Sequence, residues 1–236
     1  MEIKVLGTWN SHLKPGKRNT SYLLNGKILL DCGPHTAESL LENNINISDI
    51  KLILITHMHL DHFGGLPDFL WQRAFESTEN PVYIIGPDHI ENYTFDILTR
   101  YNTPDYFLKN IEFIDKCSDV EIGNGKHSIP DLTYKIKINE KYIFYSGDTS
   151  YSEELIKNAL DSDIFIHEAT YPSDMEDIAT KYGHSTVKNA VNAFLESRSK
   201  IFIPTHMSEK SMDELGTMAN KNIIVPEENK TYRFWE

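Results

Sequence analysis

Leu52-Ile53-Leu54-Ile55-Thr56-His57-Met58-His59-Leu60-Asp61-His62-Phe63-Gly64-Gly65 is the stretch from which the fold can be read. Its apolar start reads as a buried strand. The strand empties into His57, His59, Asp61 and His62, three imidazoles and one carboxylate within six residues. Imidazole and carboxylate are the ligands that borderline and hard divalent cations prefer. An ordinary polar turn uses one or two such side chains. Four of them, where the chain leaves a sheet, read as a metal site. Gly64-Gly65 is expected to let the backbone turn tightly beside it.

Other apolar runs end in the same way. Tyr142-Ile143-Phe144-Tyr145 runs through Ser146-Gly147 to Asp148, Asp163–Ile166 ends at His167-Glu168, and Ile201–Thr205 ends at His206. His127 follows Gly123-Asn124-Gly125-Lys126, another break in strand character. The C-terminal ends of strands are where sheets containing parallel strands gather their sites. Taken singly, His127, Asp148 and His206 would each suit a hydrogen-bonded structural role as well as ligation. Beside the 57–62 cluster, ligation is the better reading. His57, His59, Asp61, His62, His127, Asp148 and His206 are too many for one tetrahedral ion and suit two. A carboxylate such as Asp148 can bridge a pair of cations, His57 and His59 can share one ion, and Asp61 and His62 can turn to the other.

The rest of the chain frames this centre. Its 236 residues, 40% of them apolar, suffice for a sizeable core, and a single domain over 1–236 is expected. Strands are expected at 2–7, 21–24, 27–31, 51–55, 82–85, 132–138, 142–145, 163–166, 200–204, 222–225 and 231–234, with one or two more in 109–127. Helices are expected at about 36–44, 67–77, 88–101, 153–160 (Ser150 and Glu153 having capping-box spacing), 185–197 and 208–219. Asn25-Gly26 and Asn139-Glu140 mark hairpins among alternating strands and helices, so the sheets should be mixed rather than purely parallel. No apolar run approaches the roughly eighteen residues of a membrane span. Met1–Val5 reads as a strand rather than a signal peptide, and Cys32 and Cys117 as two buried thiols in a reduced compartment, so a cytoplasmic protein is expected. The formal charge of −12 disfavours a long polyanion as partner and favours a small or compact substrate.

At this point the pattern resembles the metallo-β-lactamase superfamily, whose His-x-His-x-Asp-His signature is met at His57, His59, Asp61 and His62. It is similar in particular to the ribonuclease Z branch, through Arg18-Asn19-Thr20-Ser21, Ser146-Gly147-Asp148-Thr149, His167-Glu168-Ala169-Thr170, Gly183-His184-Ser185-Thr186 and Pro204-Thr205-His206-Met207-Ser208. The resemblance spans residues 3–208. It implies an α+β fold, the four-layer αββα sandwich of two mixed β-sheets. It also implies that His57, His59 and His127 hold one ion, that Asp61, His62 and His206 hold the other, and that Asp148 bridges. Members of this branch that process tRNA typically carry a long arm between the equivalents of His127 and Asp148. Here only Ser128 through Gly147 fill that interval, so this is a short form without the arm.

The chemistry implied is that of a dinuclear metal-dependent hydrolase with a metal-bridging hydroxide as nucleophile, oriented by Asp61, acting as a phosphodiesterase. Zinc is the default for nitrogen-rich ligands, with manganese or iron also fitting. An alkoxide leaving group needs a proton, and His184 is the expected acid, with Glu168 beside it favouring the imidazolium. Helix-terminus and buried-acid roles are the bland readings of these two residues. The alternatives are a ribonuclease Z-type RNA endonuclease that recovers the arm's function as a homodimer, a hydrolase of a lactone, thioester or aryl sulfate, and a non-catalytic metal- or ligand-binding member. A lactonase would not need the acid pair. His167 reads as structural. His12, His35 and His89 read as surface or loop residues, His12 and His35 being able to reach the site mouth, Lys17 and Arg18 as a solvated turn able to meet phosphate, and Phe69, Trp71 and Phe75 as a core-facing helix stripe.

Overall fold

The computed structural model describes residues 1–76 and 79–235, so residue 77, the expected end of one helix, lies outside the described residues. The chain forms two compact units. The first comprises Met1–Gly7, Arg18–Asp115 and Glu228–Glu236; the second comprises Thr8–Lys17 and Lys116–Glu227.

The first unit is built on β1 (Glu2–Gly7), β2 (Ser21–Leu24), β3 (Ile28–Leu30), β4 (Leu52–Leu54), β5 (Val82–Ile85) and β6 (Ile111–Phe113). β1, β2 and β3 pair antiparallel, whereas β3 through β6 pair parallel. The β2–β3 turn is the expected one, with Asn25 and Gly26 both at positive φ. Helices α1 (Thr36–Glu42), α2 (Leu60–Phe63), α3 (Leu66–Phe75) and α4 (Ile90–Arg100) lie between the parallel strands in sequence. Leu40, Leu66, Phe69 and Leu98 from these helices pack with Leu23, Leu29, Ile53 and Ile84 of the sheet in one core. The α3 stripe is only partly buried. Phe69 is enclosed and Trp71 half-buried, but Phe75 is 64% exposed, its ring edge against Phe107. Spacing on the helix places Phe75 past the point where the core ends.

The second unit carries β7 (Val120–Asn124), β8 (Leu132–Ile138), β9 (Lys141–Tyr145), β10 (Ile164–Glu168) and β11 (Ile201–Thr205), in the order β11-β10-β9-β8-β7. β7, β8 and β9 are antiparallel, and β9, β10 and β11 are parallel. Helices α5 (Glu153–Ala159), α6 (Glu176–Tyr182), α7 (Val187–Glu196) and α8 (Glu209–Met218) complete it. Phe165 and Phe202 of the sheet pack with Leu155, Ala190, Phe194 and Leu215 of the helices. The last strand, β12 (Thr231–Arg233), belongs to the first unit and pairs antiparallel with β1 as the edge of a seven-stranded sheet.

Several boundaries depart from expectation. The α5 cap is Ser152, which accepts from the Leu155 amide, rather than Ser150. β10 runs through His167 and Glu168 instead of stopping before them, because both remain paired with β11. Residues 222–225 form no strand, only one bridge between Ile223 and Phe202. Helix α6 was not foreseen. Ala179 is its one fully buried side chain, so it carries no apolar period to read. Cys32 is buried but Cys117 is only half-buried, and both are free thiols.

Candidate active site

In the first unit, a buried carboxylate organises the His-rich segment. Asp31 lies just past β3 in the left-handed region, at φ 53°, and is fully enclosed. Its oxygens accept from the Thr56 amide at 2.8 Å, from the Thr56 hydroxyl at 3.0 and 3.1 Å, and from His62 Nδ1 at 2.7 Å. The Thr56 hydroxyl proton is thereby spent on Asp31, so its oxygen accepts from His57 Nδ1, 3.0 Å away. Both imidazoles are therefore held as the tautomer with the proton on Nδ1 and the lone pair on Nε2, the form that ligates a metal. The rings converge, with His57 to His62 centroids at 4.2 Å and His57 to His59 at 4.7 Å. Asp61 and His62 lie in α2, one turn past His57.

The glycines act here by close approach. Gly65 has negative φ, so it supplies no special turn. A Cβ on Gly65 would lie 2.0 Å from the Gly33 carbonyl oxygen, and one on Gly33 would lie 2.0 Å from that of Asp61. The Gly65 amide donates to the Cys32 carbonyl and the Cys32 amide to that of His62, which ties the ligand loop to the end of β3.

The second unit has a counterpart built on Glu168. This carboxylate is fully enclosed and takes four donors. Thr149 N at 2.8 Å and His184 Nδ1 at 2.9 Å reach Oε1, and the Thr170 hydroxyl at 2.5 Å and Ser185 N at 3.0 Å reach Oε2. Burial pushes the Glu168 pKa up, but the charge and hydrogen bond of His184 outweigh it, and the net direction is down. The Thr170 hydroxyl gives its proton to Glu168 and so accepts from His206 Nδ1, 2.8 Å away. His127 donates Nδ1–H to the Gly183 carbonyl at 2.9 Å, and burial lowers its pKa, keeping it neutral. His127 and His206 thus present Nε2 in the ligating tautomer, and His206 Nε2 stands 3.3 Å from Asp148 Oδ2. Ligand atoms of His127, Asp148 and His184 lie within 4.8 Å of one another, as do those of Glu168, His184 and His206. This donor chemistry fits divalent cations in each unit.

Local backbone explains the placement. Asp148 follows Gly147, at φ 58°, just past β9, and its amide donates to buried Asp131 at 3.3 Å. His206 leaves β11 at φ 52°, a conformation that costs a non-glycine residue of the order of 1 kcal/mol or more and is found mainly at functional sites. Gly183 closes α6 at φ 74°, and a Cβ there would meet the His127 Cα at 2.9 Å. The α7 cap is Thr186 rather than Ser185, whose hydroxyl instead donates to the Thr149 carbonyl at 2.7 Å.

His167 is structural, as expected. It donates to Ser146 Oγ at 2.8 Å, lies against Phe165, and burial lowers its pKa to about 4. His35 is exposed beside Glu38, Arg18 pairs with Glu42 at 2.5 Å, and the Lys17 ammonium sits over the Trp9 ring. Sequence reading missed Asp31, Asp131, Thr56, Thr149 and Thr170 as participants. Asp31 carried the same signal as Asp148, a carboxylate just past an apolar strand.

The curated Ribonuclease Z of Listeria monocytogenes is 27% identical, the match covering 89% of this chain and 89% of that protein. That 89% is about 210 of the 236 residues, yet the alignment is 273 positions long, so the relative carries at least about 60 residues without counterpart here. Human tRNase Z, short form, superposes with a TM-score of 0.83 at 22% identity over 99% of each chain. The metallo-β-lactamase fold protein YhfI from Bacillus subtilis does so at 0.80 and 17% over 98% of each. These likenesses establish the metallo-β-lactamase fold expected from the sequence. Residues 1–224 match the family model described as "Anti-Pycsar protein Apyc1". The chain belongs to that family, as a short, ribonuclease Z-like member of the metallo-β-lactamase superfamily and a metal-dependent hydrolase.

Proposed function

We propose that this hydrolase cleaves phosphodiesters, and that the 1–236 chain works as one catalytic domain. The observation that carries the reading is the Glu168–His184 pair, with Nδ1 to Oε1 at 2.9 Å and four donors locking the carboxylate. A held, ionised carboxylate fixes the imidazole ring and favours its protonated form. His184 Nε2 then delivers a proton to a departing alkoxide. The family pattern supports His57, His59 and His127 for one cation, Asp61, His62 and His206 for the second, and Asp148 as the bridge. Two such cations, zinc by ligand type, would supply an activated water and neutralise phosphoryl oxygens when bound. Asp61 orients the nucleophile, and Asp31 and Thr56 hold His62 and His57 in register for ligation.

For the substrate, the relatives' names favour RNA, and a ribonuclease Z-type endonuclease is the better supported form of this reading. A compact phosphodiester is the second form. The net charge of −12, the short 128–147 interval and the residues missing relative to the Listeria protein favour it. A homodimer would be one way to replace the arm. Among the described residues no helix is long and apolar enough to cross a membrane, and the free thiols suit a cytoplasmic enzyme. Parallel assays of the metal-loaded protein on a precursor tRNA, a cyclic nucleotide, a nitrophenyl phosphodiester and a lactone test the proposal. Cleavage of at least one phosphodiester, with the lactone untouched, is expected. Lactone opening with every phosphodiester inert would overturn it.

A further inference from the structure

Gly147 sets a problem for the residue after it. Its φ of 58° lies in the left-handed region, which lets the chain turn just past β9. Glycine enters that region and the opposite one about equally readily, so the residue that makes the turn leaves the direction of Asp148 open. The peptide between Gly147 and Asp148 is nonetheless gripped at both ends. Its carbonyl accepts from the Ser146 hydroxyl at 2.7 Å, and its amide donates to the buried Asp131 carboxylate at 3.3 Å. Gly125 leaves room for that second grip, since a Cβ there would lie 2.5 Å from Asp131 Oδ1.

The Ser146 hydroxyl is itself directed. A hydroxyl carries one proton and two lone pairs and turns among three staggered positions. Two donors converge on this one, His167 Nδ1 at 2.8 Å and the Glu168 amide at 3.4 Å. With both lone pairs taken, the direction left for its proton is the Gly147 carbonyl. Ser146 and His167 are fully enclosed. Burial holds His167 neutral, with a pKa of about 4, so its ring carries a single N–H, and the contact with Ser146 puts it on Nδ1. Its Nε2 meets no hydrogen-bond partner among the described residues. A buried nitrogen without a partner is a cost that an apolar ring avoids. Packing against Phe165 therefore does not call for an imidazole at this place, whereas a donor to Ser146 does.

Resting on the reading of Asp148 as the metal-bridging carboxylate, we infer that Ser146 and His167 are positioning residues for it: His167 directs the Ser146 hydroxyl, and the hydroxyl fixes the Gly147–Asp148 peptide and so aims the carboxylate. Its aim matters, because Asp148 Oδ2 stands 3.3 Å from His206 Nε2 and 3.9 Å from His184 Nδ1. A turn of the preceding peptide would carry it away from both. Ser146 and His167 act through the backbone rather than as ligands.

The test is zinc binding by the full chain without substrate, measured by competition with a chromophoric chelator, beside urea unfolding of the metal-free protein. Ser146→Ala and His167→Phe should each weaken zinc by about tenfold or more, the low end of what loss of an outer partner costs. His167→Phe keeps the ring's volume, and a metal-free urea midpoint near that of the wild type separates its loss of zinc from a loss of fold. The second pair of variants asks which nitrogen matters. His167→Asn, whose amide can take the place of Nδ1, should hold zinc close to the wild type, whereas His167→Gln, whose amide reaches the place of Nε2, should not. Asp148→Ala is the reference. If it binds zinc as the wild type does, the bridging reading fails and the clamp has nothing to aim. If Asp148→Ala loses zinc while Ser146→Ala and His167→Phe keep it, or if asparagine and glutamine at position 167 behave alike, the clamp is overturned and the bridging reading stands.

Discussion

Asp31 in the first unit and Glu168 in the second are the same device built twice. Each is fully buried at the end of a strand, each accepts from a backbone amide and a threonine hydroxyl, and each threonine passes the constraint to a histidine. Asp31 acts through Thr56 on His57, and Glu168 through Thr170 on His206. The difference lies in the imidazole that each carboxylate holds directly. Asp31 takes His62, which the family pattern assigns to a metal, while Glu168 takes His184, which that pattern leaves outside the ligand set. On the proposed assignment, the first carboxylate serves ligation alone, and the second serves ligation and also fixes a group able to carry a proton.

The sharpest way to break this parallel is to remove each carboxylate. Glu168→Ala leaves four buried donors without their acceptor and should cost about 3–5 kcal/mol. Asp31→Ala leaves the Thr56 amide, the Thr56 hydroxyl and His62 and should cost somewhat less, with urea unfolding as the measurement. Metal titration then distinguishes them. Asp31→Ala should weaken ion binding by about 10- to 100-fold, as loss of an outer carboxylate does. Similar unfolding midpoints for Asp31→Ala and wild type would deny Asp31 its central place.

The relays come next. Thr56→Val and Thr170→Val should each cost about 1–2 kcal/mol, since each removes a hydroxyl from between a carboxylate and an imidazole. Both should lower metal affinity, Thr56→Val through His57 and Thr170→Val through His206. A Thr170→Val protein with wild-type affinity would show that His206 is oriented by something else. Gly183→Ala adds a smaller test, expected at about 1–3 kcal/mol because φ is 74° and the new Cβ would press on His127.

The smallest expected effect is electrostatic and belongs to the second unit. Burial raises the Asp163 pKa, but Lys200, the Tyr142 amide and Lys141 outweigh it, so the folded carboxyl titrates below its ordinary range. A folded pKa below the unfolded one gives stability that is fully present above about pH 4 and is lost as pH falls through the folded value. Both lysines are well exposed, so Asp163→Asn should cost about 0.5 kcal/mol at neutral pH and nothing at low pH. A loss of equal size at both would assign the cost to packing instead.

The same contrast explains what was legible in the sequence. The first unit's ligands sit in one short segment after an apolar strand, so His57 through His62 announce themselves. The second unit's candidates, His127, Asp148 and His206, come from three separate places, legible because each follows a strand, and Glu168 and His184 are paired only through the family resemblance. The orienting layer was legible only at Asp31, a carboxylate just past an apolar strand. Asp131 is a single carboxylate, and Thr56 and Thr170 are single hydroxyls, with no spacing that distinguishes them from ordinary turn residues. Their role appears only where the chain brings each against an imidazole. Helix α6, whose Gly183 terminus holds His127, escaped for a related reason. Its packing is slight and its importance lies in one carbonyl.

The direct test of the account is leaving-group dependence in His184→Ala. Hydrolysis of an alkyl phosphodiester, whose alkoxide needs a proton, should fall by about 100-fold or more, while hydrolysis of a nitrophenyl phosphodiester should fall far less. Equal losses on both substrates would contradict His184 as the acid and Glu168 as its anchor.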